Sequence, residues 1–220
     1  LWGRLEERIV QTSLCGNQSK LCTSSYSFHR LFAEINNRHM TGKRIFISGG
    51  AGFLGKHLVS ALYDNNEITI YSRDEAKHYF MKKQYPKLRC IVGDVRNFDL
   101  MLRATRGHNV GIFAASLKQI EACDENTEEA CQVIIHGALN SRRCAEENAF
   151  ESASFISSDK SRAATTIYGG MKYVAGESFI VNPLQNGPHL TSIIYGNVTN
   201  STGSIVPLIN DSIRSKRELV

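Results

Sequence analysis

At 220 residues, 42% hydrophobic and 21% charged, the chain has room for one globular domain whose core needs no disulfide staples. Its 26 Lys and Arg against 21 Asp and Glu leave a formal charge of +5, read as dispersed in short pairs such as Lys82-Lys83 and Arg142-Arg143, which argues against a nucleic-acid partner and suits an anionic small ligand. Six cysteines without a C-x-x-C pair or zinc-finger spacing, and the lack of any apolar run of bilayer length, point to a reducing, cytoplasmic setting with no metal site and no membrane span.

Residues 1–41 read as an N-terminal extension that is poorly defined. "LWGRLEERIVQ" suits a short amphipathic helix, "FHRLFAEINN" another, and no chemistry shows in either. No signal-peptide pattern opens the chain. From residue 42 the rhythm changes. "RIFIS" is a strand that runs into "GGAGFLG", and apolar residues then recur at helical spacing from Phe53 to Leu62. The turn between them sets Gly49, Gly52 and Gly55 three apart, with Phe53 and Leu54 opening the helix. Free N–H groups and the positive dipole end at such a helix start suit a pyrophosphate.

"EITIYS" is the second strand. Residues just beyond it meet the adenosine ribose in a doubly wound fold. Ser72 and Arg73 arrive first, with Lys77 one helical turn on, so the 2′-phosphate of NADP is favoured over the bare hydroxyl of NAD. Asp74 and Glu75 also stand there, where they equally suit the start of a helix over "EAKHYFMKKQY". "LRCIVGD" is the third strand. Asp94 and Val95 follow it, placed to meet and pack on the adenine, although Asp94 also suits a helix cap before "FDLMLRAT". "NVGIFAAS" is the fourth strand and ends in small residues, Ala114 and Ala115, where a cofactor would pass close to the backbone. A long helix over "NTEEACQVIIHGALNSRRCAEENA" and a fifth strand, "SASFISS", come next. Strands alternating with helices predict right-handed crossovers and an α/β doubly wound parallel sheet of the Rossmann type over residues 42–220, including the start of a substrate-binding region.

The stretch "SSDKSRAATTIYGGMK" leaves the fifth strand. Tyr168 and Lys172, four apart, share a helix face. An ammonium beneath a phenol favours phenolate, which makes Tyr168 a candidate base for a sugar or alcohol hydroxyl, with Lys172 also able to hold a ribose. Ser158 is placed to hydrogen-bond the reacting oxygen. A helix over "YGGMKYVAGESFIVN" and a sixth strand, "LTSIIYGNV", complete the pattern. No histidine pairs with a Cys or carboxylate at metal-ligand spacing.

The G-x-x-G-x-x-G turn with Y-x-x-x-K resembles the extended branch of the short-chain dehydrogenase/reductase superfamily. The ordered set "IYSRDE", "GDVR", "AASLKQ", "IHGALN", "SSDK…YGGMK", "YGNV" and "GSIVP" is similar, more narrowly, to C5-inverting UDP-N-acetylglucosamine 4,6-dehydratases of the polysaccharide-biosynthesis group. That resemblance implies a UDP-sugar substrate, NADP and a homo-oligomer. It implies that Tyr168 with Lys172 takes the 4-hydroxyl proton, that Lys160 removes the C5 proton, and that Asp159 is the acid for the departing C6 hydroxyl. It also implies that Lys118 lines the cleft and that Asn197 approaches the nucleotide-sugar phosphates. Against the family pattern, Ala164 stands for a Pro, Thr166 for an Asn, Val133-Ile134 for Thr-Asn, and Ile194 and Thr202 each for an Arg. Family members continue beyond Val220, so the substrate-binding C-terminal part reads as truncated. Two other outcomes share the fold. One is a nucleotide-sugar 4-epimerase or reductase, which has no need of an Asp-Lys pair. The other is an NADP-binding protein without catalysis.

Overall fold

A computed structural model describes residues 9–13 and 40–196. Seven strands form one sheet in the order β1-β7-β6-β5-β2-β3-β4. They are β1 (Ile9–Ser13), β2 (Arg44–Ser48), β3 (Glu67–Ser72), β4 (Arg89–Val92), β5 (Val110–Phe113), β6 (Ser152–Ser158) and β7 (His189–Tyr195). From β4 to β7 every neighbouring pair is parallel. The order reverses between β2 and β5, and the crevice at that switch point is where such sheets bind ligands.

The helices are α1 (Phe53–Leu62), α2 (Glu75–Gln84), α3 (Phe98–Ala104), α4 (Ile120–Glu125), α5 (Thr127–Cys131), α6 (Gly137–Glu147) and α7 (Ile167–Ile180). They cover both faces of the sheet, so the central strands are buried almost continuously instead of alternately, as in Ile45 to Ser48 of β2 and Val110 to Phe113 of β5. One face packs Phe46, Phe113, Phe155 and Phe179 with residues of α3 to α7. The other packs Ile45, Ile47, Ile70 and Ile112 with residues of α1 and α2.

The doubly wound parallel sheet is therefore the observed fold, with two corrections to its sequence reading. Residues 9–13 form a strand, antiparallel to β7 with Ile9 opposite Tyr195, and not the end of a helix over 1–11. The isolated segment has helical spacing, but the backbone groups on the β7 edge offer it ladder partners. The long helix predicted over 126–149 is also not uniform. A π-helical turn, Gln132–His136, joins α5 to α6, a distortion frequent at functional sites.

Candidate active site

An open cleft of about 460 Å³ lies over the switch point. Its floor is the turn after β2. Gly49 holds a left-handed φ of +70°, and a Cβ there would fall 2.8 to 2.9 Å from the Ala114–Ala115 backbone. The turn and the end of β5 can therefore approach only through a glycine. Gly52 is the N-cap of α1. It gives no side-chain cap, and no acidic residue occupies the first turn, which leaves the helix N–H groups available to an anion. Phe53, Leu54 and Gly55 form that first turn. Ala114 and Ala115 line the cleft opposite the turn. Small walls and an uncapped helix start together fit a dinucleotide.

Ser72, Arg73, Lys77, Asp94 and Val95 line the other end of the cleft. Asp74 is occupied with its own helix. Its carboxylate accepts from the Lys77 backbone N–H at 3.0 Å and pairs with Lys77 Nζ at 2.6 Å, and those bonds hold it below the usual carboxylate range. Asp94 is gripped by Arg96, at 3.0 Å from Nε and 2.6 Å from the guanidinium tip, which likewise lowers its pKa. Arg73 stands 3.7 Å from Asp94 and 4.0 Å from Glu129, and Arg96 bonds Glu129 at 2.7 Å, so two arginines and two carboxylates tie the ends of β3 and β4 to α5. Asn140 donates to the Val95 carbonyl at 2.9 Å and fixes the same loop to α6. The sequence reading singled out neither Asn140, Arg96 nor Glu129. Arg96 and Asn140 stood inside quoted motifs, but Glu129 lies 33 residues from Arg96 and Val95 lies 45 from Asn140, separations that spacing does not reveal.

At the end of β6 the chain turns at once into a 3-10 turn, Asp159–Ser161. Ser158 caps it by accepting from the Lys160 N–H, and its hydroxyl donates to Asp159 at 3.1 Å. Lys160 reaches Asp159 through its N–H at 2.9 Å and its Nζ at 3.3 Å. α7 packs directly on this turn. A Cβ on Gly169 would fall 2.5 Å from the Lys160 carbonyl, so a glycine lets the helix carrying Tyr168 and Lys172 touch the turn carrying Asp159 and Lys160. The fold thus gathers Ser158, Asp159, Lys160, Tyr168 and Lys172 at the carboxyl ends of β6 and β7.

The expected acidification of Tyr168 by Lys172 is not found. Burial pushes the Tyr168 phenol up to about 12, with nearby Tyr195 adding to it and Ser158 opposing. Lys172 donates to the Ile156 carbonyl at 2.9 Å and lies over the Phe155 ring, and burial pushes its amine down to about 7. An amine that has lost its solvent has less charge to lend a neighbour. Tyr195 was also missed: it pairs with Ser158 across the β6–β7 ladder, and its own burial, with the Asp159 charge adding to it, raises its pKa.

The altered family positions fall into place differently. Thr166 caps α7, accepting from the Gly169 N–H at 3.1 Å, so it does the capping an Asn could do. Val133 lines the open cleft and Ile134 is core. Ile194 is buried beside Ser157, Ser192 and Lys172, on the α7 side of the sheet, so the Arg absent there is not lost from the open cleft. Lys118 follows β5, its amine lowered by partial burial. Asn197 and Thr202 lie outside the described residues.

The model of a family described as "Polysaccharide biosynthesis protein" matches residues 45–220. The chain belongs to this polysaccharide-biosynthesis family. Among family relatives, a UDP-N-acetylglucosamine 4,6-dehydratase (inverting) of Campylobacter jejuni is 34% identical over 180 residues, 78% of this chain and 54% of its own length. A UDP-glucose 4-epimerase of Rickettsia massiliae is 32% identical over 188 residues, 80% of this chain and 55% of its own. The crystal structure of Pen from Bacillus thuringiensis superposes with a TM-score of 0.73 at 26% identity, over 80% of this chain and 56% of that one. The chain thus spans about half the length of the relatives it matches.

Proposed function

We propose that this polysaccharide-biosynthesis protein carries the dinucleotide-binding and acid/base part of a nucleotide-sugar 4,6-dehydratase acting on UDP-N-acetylglucosamine or a similar UDP-sugar. The observation that carries the reading is the Ser158-capped turn, which holds Asp159 and Lys160 3.3 Å apart and packs on the first turn of the helix bearing Tyr168 and Lys172. Elimination of water across C5–C6 needs a base and an acid side by side, in addition to the residue that takes the 4-hydroxyl proton.

Gly49, Gly52 and the start of α1 would hold the dinucleotide pyrophosphate, Arg73 and Lys77 its adenosine end, and Lys172 the second ribose. NADP is the preferred form, because Arg73, 56% exposed at the end of β3, offers a guanidinium to a 2′-phosphate, whereas Asp74 and Lys77 satisfy each other. When bound, such a dinucleotide would supply the acceptor for the C4 hydride and the hydride returned to C6, with a solvent-derived proton added at C5 to complete the product. Tyr168 receives the 4-hydroxyl proton, assisted by Ser158. Lys160 removes the C5 proton that the 4-ketone acidifies, and Asp159 protonates the departing C6 hydroxyl. Burial keeps the proton on Tyr168 at neutral pH in the structure, so turnover should rise toward alkaline pH.

Leu139 of α6 and Tyr173 and Val174 of α7 are exposed on adjacent helices, a face suited to self-association in a cytoplasmic homo-oligomer. No helix among the described residues is long and apolar enough to cross a membrane.

The test is incubation of the full-length protein with UDP-N-acetylglucosamine and NADP⁺ in deuterated water. A 4-keto-6-deoxy product carrying deuterium at C5 is expected, and absence of both product and exchange overturns the reading. The epimerase relative at 32% identity supplies the second reading. Lys160→Ala separates the two, since epimerisation survives that change and dehydration does not.

A further inference from the structure

The formal excess of +5 is not dispersed: five of the 26 Lys and Arg and none of the 21 Asp and Glu fall between Ala76 and Arg89. That one segment carries the whole net charge of the chain, which corrects the reading of short scattered pairs. It comprises most of α2 and the link into β4, at the sheet edge farthest from the acid/base turn.

The fold makes the concentration directional. His78 and Met81 face the core. The opposite face of α2 presents Tyr79 and Phe80, 58% and 67% exposed, in an edge-to-face pair. Lys83 falls between them on the helix surface, with its Nζ 5.4 Å from the Tyr79 ring. Among the described residues Lys82, Lys83, Lys87 and Arg89 have no carboxylate within ion-pair distance, whereas Lys77 is paired with Asp74. Two adjacent aromatics left in water beside four uncompensated cations are unfavourable for an element with no partner.

We propose that this face of α2 docks on an anionic phospholipid surface. Tyr and Phe rings enter the boundary between headgroups and acyl chains, while flanking Lys and Arg reach lipid phosphates and carboxylates. The convex form of the patch favours this occupant over nucleic acid. Proteins that stack bases line a positively charged groove with aromatics, whereas Tyr79 and Phe80 project from a helix. The contact is peripheral, since ten residues of helix cannot span a bilayer. It is independent of the reaction proposed above. Of the residues of α2, only Lys77 belongs to the cleft.

Sedimentation of the full chain with phosphatidylcholine vesicles, with and without phosphatidylserine, tests it. Binding is expected only to the anionic vesicles and should weaken with added salt. Lys82→Glu with Lys83→Glu should lower the apparent affinity by more than tenfold, at about fivefold per cation lost, and Tyr79→Ser with Phe80→Ser should abolish binding while the unfolding midpoint stays within a degree or two. Equal binding to neutral vesicles, binding insensitive to both double variants, or retention of single-stranded RNA without vesicle binding would each overturn it.

Discussion

Lys172 is buried to 4% exposure, its amine bonded to one carbonyl, lying over one ring and near the Cys123 thiol, and that burial has a thermodynamic signature. Its amine is pushed from 10.5 down to about 7, so between those values the unfolded chain binds a proton that the folded chain has released. Stability therefore rises with pH across that window, and the penalty is complete below it. Lys172→Met should abolish the rise in unfolding free energy measured by urea titration between about pH 7 and 8.5. A slope unchanged in that variant would show that the amine is not the source. The Y-x-x-x-K spacing was legible in the sequence, whereas this environment was not, because the Ile156 carbonyl and the Phe155 ring come from a strand that only the tertiary fold lays under α7. Gly169 is similar. Its neighbour Tyr168 drew attention as a chemical group, but the need for a glycine arises from the Lys160 carbonyl 2.5 Å from where its Cβ would be.

Among the elements, α7 is the one on which the site depends. Its N-cap is Thr166, a position where the sequence resemblance implies an Asn, and the hydroxyl accepts from Gly169 N–H. Ser, Thr, Asn and Asp are interchangeable in this task and Ala is not. Thr166→Ala should cost about 1 kcal/mol, read as a lowered urea midpoint, while Thr166→Asn should leave the midpoint unchanged. Equal loss in both would mean that the position packs instead of capping. Most elements were readable beforehand, since their apolar periodicity is strong and glycines or polar residues punctuate them. The failures have physical reasons. Strand β1 depends on an edge contributed by residues 189–195, and α4 has only six residues, too few for periodicity to declare itself. Arg142 was read as half of a surface pair, yet it donates to the Ser178, Val181 and Asn182 carbonyls at 2.6 to 2.9 Å and locks α6 to the end of α7.

For the molecule as a whole, the buried titratable groups set a pH profile. His78, with Ser72 against one ring nitrogen, and His108, accepting from Thr69 and donating to the Thr105 carbonyl, are both pushed below 6.5 by burial. Stability is lost as pH falls below that value, because the unfolded chain takes protons these rings refuse. Cys90, Cys123 and Cys144 are shifted upward from 9.0, Cys144 to about 12, so the unfolded chain ionises first and stability is also lost as pH climbs. With Lys172 between them, the unfolding midpoint should peak near pH 8 to 9, at roughly the upper edge of the usual range or beyond. A peak at or below pH 6 would contradict these burial effects. The strand order that sets this packing also divides the site by position along the chain. Every residue lining the cleft lies between Gly49 and Val133, and the groups proposed for the acid/base steps lie between Ser158 and Lys172. The two capacities are inherited as consecutive blocks of sequence, so either can decay through substitution while the other is left intact.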